Sequence, residues 1–193
     1  MTSGLRRFAQ RPPVDPRERC EMCATPIEHE HSHVVNVESR AILCACRPCY
    51  LLFTHGGAGK HRAIPSRHVH VPALKGGREW WESAGIPVRM AFVFTNSELG
   101  GPVAFYPSPA GATECLLALD SWTQLLADNP AVADLAPDVE ALLLNHDGEG
   151  FLVPIDACYR LVGLVRLHWK GFDGGAEAWR AIDAFFAELR AHG

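Results

Sequence analysis

The sequence contains no run of 18 apolar residues, so no membrane-spanning helix is expected. Its first residues, MTSGLRRFAQRPP, carry paired arginines with prolines rather than an apolar stretch behind them, so no secretory signal is expected either. Internal repeats and low-complexity tracts are lacking, which excludes solenoids and repeat arrays. Aromatic residues are scarce in the basic N-terminal part, where Phe8, Tyr50 and Phe53 stand alone, so a nucleic-acid partner is not expected. Without a signal, the expected setting is the cytoplasm, where thiols stay reduced. An odd count of 7 cysteines then reads as metal ligands plus spare thiols rather than a disulfide framework.

A complete phosphate-binding loop is also lacking. Gly56-Gly-Ala-Gly-Lys-His61 resembles one, but Thr54 stands where its first glycine belongs and His61 where Ser or Thr would meet magnesium. The segment is read as a loop.

What is present is a chain of 193 residues, 48% hydrophobic and 21% charged, long enough to bury a core without covalent staples. The net charge of -4 is unevenly spread: residues 1–78 hold twelve Lys/Arg against six Asp/Glu, and residues 79–193 hold six against sixteen. The basic part is expected to dock on the acidic part of its own chain.

The pattern divides into an extended arm over residues 1–19, a metal knuckle over 20–55, a linking segment with two short strands over 56–78, and an α+β domain over 79–193. In the knuckle, His33–Val37 and Ala41–Cys46 read as a hairpin, and Pro48 suits the first turn of a short helix. In the larger part, Val88–Phe94 with Val103–Tyr106, and Val139–Asn145 with Phe151–Ile155, read as hairpins. Helices are expected at Trp80–Trp81, from Asp120 to Asn129, after a cap at Asp156, and from Ala176 to His192. The expected fold is α+β: a mostly antiparallel sheet with helices on one face, plus an N-terminal treble-clef-like unit built on four cysteines.

Those cysteines carry the chemistry. Cys20 and Cys23 form one Cys-x-x-Cys pair; 22 residues on, Cys46 and Cys49 form another. Each pair can clamp one edge of a tetrahedral ion. Four thiolates suit zinc, or alternatively iron or an iron–sulfur cluster, and leave zinc no open position. Rubredoxin-type knuckles carry Gly after the second cysteine; Ala24 and Tyr50 stand there instead, which counts against iron of that kind. Cys44 is a fifth thiol: a substitute for Cys46, a redox partner, or a small buried hydrophobe. His29, His31 and His33 alternate and would share one face of a strand, as a second metal site or a solvated polar run. Cys158 lies on the apolar face of its helix and Cys115 has no polar context, so both read as core thiols; His146 or His168 would have to stand beside Cys158 for nucleophilic chemistry. Asp147 and Glu149 read as turn residues rather than a catalytic pair. No catalytic residue is assigned.

Taken together, CEMC with HVVNVESRAILCACRPCYLLF, then VAFYPSPAGATE, then FLVPIDACYRLVGLVRLHWKGF resemble an uncharacterised, mainly actinobacterial family of domains of unknown function. The resemblance covers nearly the whole chain beyond the arm. Members of that family are often encoded beside a high-affinity [NiFe] uptake hydrogenase and its maturation factors, so the resemblance implies an accessory role near such an enzyme. Cys115 stands where relatives are expected to carry Ser. The reading is a non-catalytic, zinc-binding accessory protein with a protein partner (a hydrogenase subunit or maturation factor by resemblance), docking through the basic surface at Arg40, Arg47, Arg62 and Arg67. The alternative is an electron carrier or iron-delivery protein using the same four cysteines.

Overall fold

The computed structural model describes residues 18–55, 59–116 and 119–193; the expected arm, apart from Glu18 and Arg19, and Gly56–Ala58 of the phosphate-loop-like stretch lie outside them. Strands β1 (Ser32–Asn36) and β2 (Ala41–Ala45) form the expected hairpin. Asn36 shapes its turn: Asn36 Oδ1 accepts the N–H groups of Glu38 and Ser39, both at 3.2 Å, and Arg40 closes it at φ 60°. The short helix α1 (Arg47–Leu51) follows, with Pro48 in its first turn. Strand β3 (His61–Ala63) then pairs with the free side of β1, giving a three-stranded sheet of order β2-β1-β3.

The rest of the chain builds a six-stranded antiparallel sheet. Its strands are β4 (Val69–Val71), β5 (Met90–Asn96), β6 (Gly101–Ser108), β7 (Gly111–Cys115), β8 (Glu140–Asn145) and β9 (Gly150–Pro154), in the order β4-β9-β8-β5-β6-β7. The segment expected as a link thus supplies β3 to the small sheet and β4 to the edge of the large one.

Side chains alternate across the large sheet, and both faces are apolar. Met90, Phe92, Phe94, Leu143, Phe151 and Val153 point to one face; Val93, Leu142, Leu144 and Leu152 point to the other. The first face is covered by α4 (Ile155–His168) and α5 (Gly175–His192) through Cys158, Leu161, Val162, Val165, Ile182, Phe185, Phe186 and Leu189. The second is closed by α2 (Gly77–Ala84), α3 (Leu119–Asp128) and a 3-10 turn (Pro130–Val132) through Trp80, Trp122, Leu125 and Val132. The class is the expected α+β with antiparallel sheets. The difference is that helices lie on both faces, because β8 and β9 are apolar at consecutive positions and neither side could be left to water.

The small sheet belongs to the same core. Val35, Val37 and Ile64 pack in one cluster with Phe94, Val139 and Ile155. Part of the charge asymmetry is met here. Arg62 meets the buried Asp138 at 3.3 Å, and Arg67 forks onto the buried Glu140 at 2.9 and 2.7 Å and donates to the Asp134 carbonyl. Lys75 reaches Asp128 at 3.3 Å. Arg62 and Arg67, expected in an outward docking face, thus pair with acidic residues of their own chain while remaining 44% and 42% exposed. Asp156 was expected as a helix cap. The helix instead begins at Ile155, which puts Asp156 inside its first turn and frees the carboxylate to meet His33.

Candidate metal centre

Two distant segments bring four cysteines together. The first pair sits on a tight turn, where Cys20 N–H donates to Thr25 O at 2.9 Å and Ala24 N–H to Cys20 O at 2.8 Å. Ala24 adopts φ 61°, a left-handed conformation that costs a non-glycine residue about 1 kcal/mol. This is where a rubredoxin-type knuckle places glycine, so the first pair adopts that backbone turn with alanine. The second pair is different. Cys46 is extended (φ -69°, ψ 157°) at the N-cap of α1, and Cys49 lies within the helix. Glu21 closes the gap between the pairs: its N–H donates to Cys44 O at 2.9 Å, and its carboxylate accepts Cys44 N–H at 2.6 Å.

The four sulfurs of Cys20, Cys23, Cys46 and Cys49 all lie within 4.8 Å of one another, and those of Cys23 and Cys46 are 3.6 Å apart. A tetrahedron with metal–sulfur bonds near 2.3 Å needs sulfurs about 3.8 Å apart, so the group fits one ion. An iron–sulfur cluster would put its own inorganic core between the thiolates and spread them farther. Cys20 is buried and Cys23 is exposed. Their protons are held unequally. The Thr25 hydroxyl, then the Thr25 N–H, brings the Cys23 thiol down to about 6. Cys46, then burial, pushes the Cys49 thiol up to about 12. Cys20 is lowered despite its burial by N–H groups of Cys46, Met22 and Cys23. A cation bound by all four sulfurs would displace the protons that remain.

The chain matches the model of a family described as "Family of unknown function (DUF5947)" over residues 19–193. It belongs to that family. No curated protein and no solved structure matches the chain. The match takes in the four cysteines and both sheets, so the DUF5947 unit includes the cysteine group rather than beginning after it.

The remaining candidates in this DUF5947 chain fall into place around the four thiols. Cys44 is not among them: it groups with His31 and His33, one ligand atom from each lying within 4.8 Å of the others. His29 is exposed and outside both groups. Cys158 is fully buried, and burial followed by Asp156 raises its thiol well above the usual range, which removes it as a nucleophile. His146 lies against Arg89 and Asp147, and His168 against Glu177. Cys115, at the end of β7, is also raised, by burial and then Glu114. Lys60 pairs with Glu38 at 3.4 Å, and His61 begins β3 and packs on Phe53. Asp147 is exposed, whereas Glu149 is a structural node: Arg190 forks onto it at 2.9 and 2.6 Å, joined by Asn145 at 2.6 Å and His70 at 3.2 Å. Sequence reasoning missed Asp156 as the partner of His33; 123 positions separate them, and no local signal links them.

Among the described residues, no helix is long and apolar enough to cross a membrane. Chemically, a four-thiolate group could hold a metal ion but has no vacant position for substrate or water.

Proposed function

We propose that this protein is a zinc-binding accessory protein whose closed tetrathiolate site holds the shape of an N-terminal docking unit. The observation that carries the reading is the convergence of four sulfurs within 4.8 Å from two segments of opposite local structure, a tight turn and a helix start. An ion there would join the turn before β1 to the start of α1. Zinc is favoured over mononuclear iron because only the first pair has the rubredoxin-type turn; the second lies on a helix, as in treble-clef units. The need for reduced thiols suits the cytoplasm.

Support for a protein partner comes from the surface next to the site. Leu51 and Leu52 are 47% and 70% exposed at the end of α1, and Arg47 is exposed over the Tyr50 ring at 5.2 Å. Apolar side chains beside a cation are suited to a protein surface. The sequence resemblance directs the partner toward a [NiFe] hydrogenase subunit or maturation factor, with a role in assembly of that enzyme.

Metal analysis with an absorbance spectrum on anaerobically purified protein tests the site. Zinc and a colourless protein are expected, with one equivalent lost when Cys20 and Cys46 are both exchanged for Ser. A red ferric spectrum would replace zinc with iron. Unchanged metal content and folding in the double variant would remove the site. For the partner, affinity purification from a hydrogenase-producing host should return a hydrogenase subunit or maturation factor; recovery of neither rejects that assignment.

A further inference from the structure

We propose that His31, His33 and Cys44 form a second metal site, for a divalent ion of the zinc, cobalt or nickel class, with a coordination position open to the adjoining cleft. The backbone builds the group. His33 and Cys44 are directly opposed across the β1–β2 hairpin, and His31, just before β1, has its ring centroid 4.8 Å from that of His33. One ligand atom from each comes within 4.8 Å of the other two.

Both imidazoles are held with the same nitrogen facing away. His31 Nδ1 lies 2.9 Å from the Glu28 carbonyl, which can only accept, so this nitrogen carries the proton. His33 Nδ1 lies 2.8 Å from Asp156 Oδ2, an arrangement that likewise calls for Nδ1–H. In each ring Nε2 is therefore the nitrogen left for a metal. This is how metal-binding histidines are oriented, by a carbonyl or carboxylate behind the ring. The His31 side chain is only 10% exposed, and its Nε2 is buried with no hydrogen-bond partner. A buried lone pair without a donor is uncommon, and a cation would satisfy it.

The donor set differs from the four thiolates. Two imidazoles and one sulfur suit borderline ions and supply three ligands, not four. The same two histidines line a cleft of about 660 Å³, with Asp156, Tyr159, Arg160 and His68 among its walls. A fourth ligand would enter from there, giving this ion the vacant position that the closed site lacks. The proposal stands apart from the tetrathiolate reading, since none of its ligands is shared.

Cobalt titration of the metal-free full chain, followed by stoichiometry and absorbance, separates the two. Two cobalt ions per chain are expected. His31→Gln and Cys44→Ser should each bind one, with the tetrathiolate spectrum intact and far-UV circular dichroism unchanged. Cys20→Ser combined with Cys46→Ser should keep one ion with the weaker charge-transfer band of a single thiolate. Saturation of the native chain at one ion that is kept in His31→Gln and lost with Cys20→Ser and Cys46→Ser would overturn the site. So would two ions in both His31→Gln and Cys44→Ser. Added imidazole should shift the visible bands of the second ion; no shift would overturn the open position.

Discussion

Replacing Glu149 with Gln tests how the edges of the large sheet are tied to its last helix. Glu149 lies in the β8–β9 turn, accepts the Arg190 fork from α5, and meets His70 on β4. Its carboxyl is held down to about 2 from 4.5, first by Arg190 and against burial, then by Asn145 and His70. A folded-state value below the unfolded one means that the ionised form is favoured by folding. The stabilisation is therefore present above about pH 4.5 and is lost as pH falls toward about 2. The full shift of two to three units corresponds to about 3 kcal/mol. Glu149 is 17% exposed, but Arg190 is 43% exposed and partly screened by water, so about 2 kcal/mol is the working figure. In Glu149→Gln, urea unfolding followed by tryptophan fluorescence should show that loss at neutral pH. The gap to the native protein should narrow below about pH 4.5 and go on narrowing as pH falls through about 2. Taking the difference between the two proteins cancels acid effects they share, including loss of any bound ion. A gap constant with pH would mean that Glu149 acts by packing rather than charge. No gap at neutral pH would mean that the fork contributes nothing.

Two further substitutions probe how the N-terminal segment is held. Arg67→Ala leaves Glu140, whose side chain is 3% exposed, with the Ala136 N–H; because Arg67 is itself 42% exposed and partly screened, a loss of about 2 kcal/mol is expected in urea unfolding, and a loss below about 1 kcal/mol would show the pair to be dispensable. Ala24→Gly removes the strain of φ 61° and should raise stability by about 0.5 kcal/mol, measured as a higher unfolding midpoint of the metal-loaded protein; a fall would show that the turn does not keep this conformation.

The parts of the fold with strong local chemistry were legible in the sequence. Met90–Phe94, Leu142–Leu144 and Phe151–Val153 declared strands by their apolar runs, and Leu161, Val165, Ile182 and Phe186 declared helix faces by their spacing. Strand β7, Gly-Ala-Thr-Glu-Cys, was missed because apart from Thr113 it contains no strand-favouring residue; it forms because β6 offers it an edge and Gly111, at φ 126°, permits the turn. The second helical layer was missed although a signal existed. An unbroken run such as Ala141–Leu144 cannot belong to a strand with one face in water, so β8 already required cover on both sides. The cysteine pairs were legible because both members of each are local. The contact of His33 with Asp156 was not, because it depends on how α4 docks over the small sheet.

The place of Cys44 shows why spacing alone leaves the role of a fifth thiol open. On an uninterrupted strand Cys44 and Cys46 would share a face and compete for one ion. Strand β2 ends at Ala45, which is fully buried, and Cys46 turns away to begin α1. That single buried residue separates two ligand groups of different character, four thiols on one side and two histidines with one thiol on the other. It also joins them. Glu21, next to Cys20, grips Cys44 by both N–H and carbonyl, so any ion that draws Cys20 toward Cys46 also fixes the strand position that holds Cys44 against His33. The turn that carries Cys20 is thus tied to β2, the strand that sets Cys44 opposite His33. Val35 on β1 and Ile64 just after β3 are packed into the main core, so the arrangement is anchored on the large sheet and not on a detachable appendage.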